Sequence, residues 1–183
     1  MGTDIDPSNF PDNLPAGQMY QVQDIHKPWP VEWKDSFDFV HQRLGLAGAG
    51  PSAQQIVNNL AALVKPGGWI QLIEATNNLP EENGPAMHNF VTVMKSVFMT
   101  FGTSLKLGDE LPDILKAAGL EDVQDRIVST KLGATNPNAH LAKQGIYSTT
   151  VGANGLAKFG SSEYSHRQST AHSVERFDRS ALT

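Results

Sequence analysis

Leu63-Val64-Lys65-Pro66-Gly67-Gly68-Trp69-Ile70-Gln71-Leu72-Ile73-Glu74 is the stretch on which the fold turns. From Trp69 to Glu74 it is a nearly continuous apolar run, the pattern of a strand covered on both faces and therefore of a parallel sheet. The Lys65-Pro66-Gly67-Gly68 segment in front of it reads as the stop of a helix. That helix carries the strongest pattern in the chain. Ser52 is a good N-cap, Gln55 completes a capping box, and Ala53, Ile56, Val57, Leu60, Leu63 and Val64 make one stripe of 3.6 period. Further back, Phe37-Asp38-Phe39-Val40-His41 is rich in strand formers and is closed off by Gly45, Gly48, Gly50 and Pro51. Strand, helix and strand in that order predict a βαβ unit with parallel strands.

Working outward, residues 1–36 are turn-rich, because Pro7, Pro11, Pro15, Gly17, Pro28 and Pro30 forbid a long helix. Within them Met19–Ile25 alternates and predicts a strand, and Gly2-Thr3-Asp4-Ile5-Asp6 fits the stub of another ending at Asp4. On the other side, Pro85 opens a helix with Met87, Phe90, Val91, Met94, Val97, Phe98 and Phe101 at helical spacing. That stripe is expected in the core, or lining an apolar acceptor pocket. Asp109–Ala118 predicts a third helix, ended by Gly119 in the left-handed region with Leu120 as its apolar partner. Val123–Leu132 predicts a strand, residues 134–159 a helical extension, and the Ser-rich residues 160–183 a disordered tail. The fold class is α/β with a mostly parallel sheet.

Composition bounds the function. The 183 residues suit one domain, and a net charge of −5 without a basic stripe argues against a nucleic-acid partner. No apolar run approaches the ~20 residues of a membrane span, and the N-terminus lacks signal-peptide features. Without cysteine there is no disulfide framework and no thiolate metal site. The six histidines form no ligand pair of tight spacing, so no metal is expected. Cytoplasmic localisation is the expectation that results.

Open α/β sheets bind ligands at the carboxyl ends of their strands. The predicted strands end at Asp4, Asp24, His41 and Glu74, where carboxylates could accept from sugar hydroxyls or an exocyclic amine. The plainer alternative is that charge gathers wherever strands surface. Gly45-Leu46-Ala47-Gly48-Ala49-Gly50 ahead of a helix also admits a dinucleotide phosphate loop, with Glu74 near the ~20-residue spacing of that motif, or simply a flexible connection. Trp29 and Trp33 read as a loop clamp.

In order and spacing, Gly2-Thr3-Asp4-Ile5-Asp6, Val22-Gln23-Asp24-Ile25, Phe37–Arg43 and Leu63–Glu74 resemble consecutive motifs of class I S-adenosylmethionine-dependent methyltransferases. The nearest group is that of fungal secondary metabolism, and the resemblance covers roughly residues 2–133, a partial methyltransferase domain. It implies a Rossmann-like methyltransferase sheet, S-adenosylmethionine as cofactor and methyl transfer to a small-molecule acceptor. It also implies roles for residues. Asp4 would accept from the ribose hydroxyls, with Ile5 against the adenine. Asp24 would accept from the adenine amine, with the Ile25 N–H nearby. His41 would face the methionine half and the acceptor, and is the candidate general base because imidazoles titrate near neutrality. A packed structural histidine is the alternative. In the family a first strand and glycine-rich turn precede these motifs and a last antiparallel strand follows, and neither matches here. The sheet is therefore expected to lack both, with a partner chain as one source of the missing strand. Two other readings stand beside this one: a non-catalytic remnant acting through a partner, and a nicotinamide-dependent oxidoreductase using Gly48 and Gly50.

Overall fold

β3 (Phe37–Arg43) and β4 (Val64–Ile73) pair in parallel, with α1 (Ala53–Ala61) as the crossover between them, as the βαβ reading predicts. The computed structural model describes residues 1–75, 84–129, 131 and 133–157. From Phe39↔Trp69 to Arg43↔Ile73 the register is regular, and it shifts between Phe37 and Phe39. The shift is where the Lys-Pro-Gly-Gly reading needs correction. α1 has already ended at Ala61, and residues 65–68 lie inside β4 as a bulge. Gly67 supplies a φ of +81°, and a Cβ on Gly68 would sit 2.8 Å from the Asp38 carbonyl oxygen. These glycines bend a strand and do not stop a helix.

The predicted capping box does not form either. Ser52 stands at the N-cap without a side-chain bond, because the 3₁₀ turn Gly50–Ser52 runs straight into α1 and leaves it at ψ 8° and not in the extended conformation. Gln55 instead donates to Asn59 Oδ1, one turn on.

The inner face of the ladder meets α1. Leu46, Ala49, Ile56, Val57, Leu60 and Leu63 are buried there together with Leu107 and Leu111 of α3 (Leu107–Ala117). Val40, Ile70 and Leu72 pack against this cluster from β3 and β4. Trp29 and Trp33, with ring centroids 5.9 Å apart, and Phe37, 5.6 Å from Trp33 edge-on, close one end. The expected clamp is therefore a wall of the core. On the opposite face of the ladder, Phe39 and Trp69, neighbours in register, are each more than half exposed among the described residues.

β1 (Gly2–Asp4) and β2 (Tyr20–Val22) make a second parallel pair, shorter than the predicted Met19–Ile25 strand. The Tyr20 ring packs over Gly2, where a Cβ would lie 2.6 Å from it. The sequence led us to expect one sheet. The described residues instead form two two-stranded ladders, with no pairing between β1 and β3. Both ladders are parallel and the domain is α/β.

α3 ends as predicted: Gly119 has φ +81°, and the Leu120 N–H donates to the Leu115 carbonyl. The strand expected over Val123–Leu132 is absent from the described residues of that range. Residues 123–129 are irregular, and Ile127 and Val128 are largely exposed. An apolar run without a partner strand has no ladder to join. Residues 130 and 132 lie outside the described residues, as does the expected disordered tail, 160–183.

The described residues divide into two compact units, one of residues 1–75 with 98–125, the other of 84–97 with 126–157. The second holds most of α2 (Pro85–Phe101) and a helix over residues 139–157, which Asn138 starts by accepting from the His140 and Leu141 N–H groups. No residue of α2 is fully buried, so its apolar stripe is half-covered and not the core it was expected to be.

Candidate functional site

Within the first unit, the carboxyl ends of β1, β2 and β3 open on one cavity of about 500 Å³, within the usual range for a small-molecule site. Asp4, Ile5, Asp24, Ile25 and His41 all line it. The sequence therefore picked residues that the fold brings together.

Asp4 and Asp24 are held by the same local device. Asp4 Oδ1 accepts the Asp6 N–H at 2.8 Å, and Asp24 Oδ1 accepts the His26 N–H at 2.9 Å. Each is an Asx turn, in which a short carboxylate closes the chain two residues on and so fixes its own direction. Asn9 Nδ2 also donates to Asp4 Oδ1, at 3.2 Å. The described bonds engage Oδ1 on both residues, so each carboxylate keeps Oδ2 for a ligand. Asp6 continues the series by accepting from the Ser8 N–H, and that bond holds its carboxyl below the usual range. Gln23 pins the second turn, its Nε2 donating to the Asp24 and Pro28 carbonyls.

His41 stands two residues before the end of β3, not after it, because Gln42 and Arg43 continue the ladder opposite Leu72 and Ile73. Its ring lies nearly parallel to that of Phe39, with centroids 6.3 Å apart, and is exposed. It has no hydrogen bond among the described residues, so the imidazole is not committed to a structural bond there. Glu74 is committed: its Oε1 accepts Gln42 Nε2 at 3.0 Å and the Leu46 N–H at 2.9 Å, bracing the turn after β3. Gln42 packs so closely over that turn that a Cβ on Gly45 would overlap its amide.

The glycine loop has a packing role. Gly50 has φ +56°, and a Cβ on it would lie 2.7 Å from the Phe101 carbonyl oxygen. Thr103, buried, donates from Oγ1 to the Ala47 carbonyl at 2.9 Å and ties the loop to the segment before α3. His26 Nε2 lies 3.2 Å from the Gly48 carbonyl, joining the β2 turn to this loop beside the cavity. These contacts account for Gly50 without a phosphate.

Sequence reasoning missed Gln23, His26, Gln42 and Trp29, all of which line the cavity. Among the described residues Trp29 Nε1 and Gln42 Oε1 are buried without a hydrogen-bond partner, leaving a donor and an acceptor unsatisfied. Gln23 and Gln42 lie inside the Val22–Ile25 and Phe37–Arg43 motifs, but an unsatisfied buried atom is defined by its surroundings and not by local pattern. No group of three His, Cys, Asp or Glu that could hold a metal occurs among the described residues, and no helix among them is long and apolar enough to cross a membrane.

No family model matches the chain. Among curated proteins, the N-methyltransferase sirN of Leptosphaeria maculans is 38% identical over 143 residues, 76% of this chain and 50% of that relative. The N-methyltransferase gliN of Aspergillus fumigatus is 34% identical over 149 residues, 78% of this chain and 53% of gliN. The methyltransferase psoC of the same fungus is 35% identical over 151 residues, 81% of this chain and 54% of psoC. The chain spans about half the length of these relatives.

Proposed function

Because the chain belongs to the family of fungal methyltransferases that these relatives represent, we propose that its cavity binds S-adenosylmethionine for methyl transfer to a small-molecule acceptor of secondary metabolism. The observation that carries the reading is the pair of carboxylates, Asp4 and Asp24, each fixed by an Asx turn at the end of neighbouring parallel strands and facing one cavity. Their chemistry fits the cofactor. A free carboxylate oxygen accepts from a vicinal diol, and a second accepts from an exocyclic amine. Ile5 and Ile25 give the apolar surface an adenine ring needs.

Bound there, S-adenosylmethionine supplies an electrophilic methyl group on a sulfonium. What this chain contributes is position, which does most to lower the barrier of a displacement. Asp4 and Asp24 fix one end of the ligand, and the exposed His41 imidazole takes the proton that the acceptor sheds. Two of the relatives are named N-methyltransferases, which favours a nitrogen acceptor. The acceptor is a small molecule, not nucleic acid or a membrane, and the protein works in the cytoplasm.

The finer reading of the fold is a Rossmann-like methyltransferase sheet of which β1–β2 and β3–β4 are two parts. β1 and β3 each have one paired neighbour among the described residues, and both line the cavity between them. A strand from a partner chain, or from elsewhere in the protein, completes the sheet.

Calorimetric titration with S-adenosylmethionine and S-adenosylhomocysteine tests the proposal. Saturable binding is expected, weakened by about 1–3 kcal/mol in each of Asp4→Asn and Asp24→Asn, the cost of a charge-assisted bond. Affinity untouched in both variants rejects the site.

A further inference from the structure

The carboxylate and guanidinium side chains lining the cavity stand on different ladders. Asp4 and Asp24 stand on the β1–β2 side, and Arg43 closes β3 on the other. Arg43 is the only Arg or Lys lining the cavity among the described residues. It shares a strand face with His41, two residues earlier.

The guanidinium is exposed and has no ion pair there; the ion pairs among the described residues are Lys65–Asp38 and Lys116–Asp113. Glu74 is the acid best placed in sequence to neutralise it, since it follows Ile73, the register partner of Arg43. But Glu74 Oε1 is held by Gln42 Nε2 and the Leu46 N–H. An arginine beside a cavity with its neighbouring acid turned elsewhere is suited to an anion from outside. A planar fork of N–H donors matches a carboxylate in particular.

Resting on the reading that the cavity takes S-adenosylmethionine, we propose that Arg43 binds the carboxylate of the ligand's amino-acid half. The site is then dipolar. Acids on the β1–β2 ladder take the hydroxyl and amine donors, and a cation on β3 takes the carboxylate. His41, two residues before Arg43 on the same strand face, is then the group for the reacting end.

A ligand missing only the carboxylate isolates the contact. Wild type, Arg43→Gln and Arg43→Lys are titrated calorimetrically with S-adenosylmethionine and with its decarboxylated form. Wild type is expected to prefer the carboxylate-bearing ligand. Arg43→Gln is expected to lose about 10- to 100-fold in affinity for S-adenosylmethionine and nothing for the decarboxylated form. Arg43→Lys is expected to recover part of the loss, since an ammonium keeps the charge but not the fork. Equal losses for the two ligands, or no loss for either, overturns the assignment. Failure of wild type to bind either ligand overturns the cofactor reading itself, and this inference with it.

Discussion

Replacing Gly50 by alanine should cost far more than the same change at Gly48, two residues away in the same loop. Gly50 sits at φ +56°, where an L residue costs about 1–2 kcal/mol. Its new Cβ would also stand 2.7 Å from the Phe101 carbonyl oxygen, a backbone atom that cannot rotate away. Overpacking of that kind adds about 1–3 kcal/mol. The total, about 2–5 kcal/mol, is a large share of the 5–15 kcal/mol typical of a domain. Gly48 is not in the left-handed region, and its Cβ would meet nothing within 4 Å. Gly48→Ala should therefore be neutral or stabilising by up to about 1 kcal/mol, through the lower entropy of the unfolded chain. Urea unfolding followed by circular dichroism reads both variants, with the slope on denaturant held common. If they differ by less than about 0.5 kcal/mol, Gly50 is not the packing joint described and the loop glycines need another explanation.

Further outcomes follow from the same contacts. Leu46 is completely buried at the centre of the core, so Leu46→Ala should destabilise by about 2–5 kcal/mol and Leu46→Met by less than about 1.5 in the same assay. Lys65 holds the Asp38 carboxyl below the usual range, first through their hydrogen bond and then through charge. A lowered folded pKa stabilises above the carboxylate range and is lost as pH falls through it, below about pH 4. Lys65→Met should raise the Asp38 midpoint toward its ordinary value in a carboxyl NMR titration and remove that part of the acid sensitivity; a midpoint unmoved by the change would exclude the pair as its cause.

The βαβ unit and the two aspartates were readable in the sequence because both depend on local pattern. Periodicity marks α1, and an acid after an alternating run marks a strand end. His41 was misplaced by two residues because the end of a strand is set by its partner: Gln42 and Arg43 stay in β3 since Leu72 and Ile73 lie opposite. The same cause explains the converse error at 123–132, where strand-like residues have no described partner. Proline and glycine at 66–68 read as an ending, but glycine serves a bulge as readily as a stop. The Gln42–Glu74 bond joins residues 32 apart, and the unsatisfied Trp29 indole is defined only by what surrounds it. Arg43 ends the Phe37–Arg43 motif, yet its availability depends on where Glu74 turns, and that is a property of the fold.

The aromatic wall beside the cavity also gives the molecule a built-in optical signal. Of three tryptophans, Trp29 and Trp33 line the cavity, while Trp69 lies on the exposed face of β4. Removing the solvent-facing emitter by Trp69→Phe leaves tryptophan fluorescence, excited selectively over tyrosine, that originates at the cavity wall. Quenching or a spectral shift in that variant reports occupancy directly, in a cuvette and at micromolar protein, before any acceptor is known.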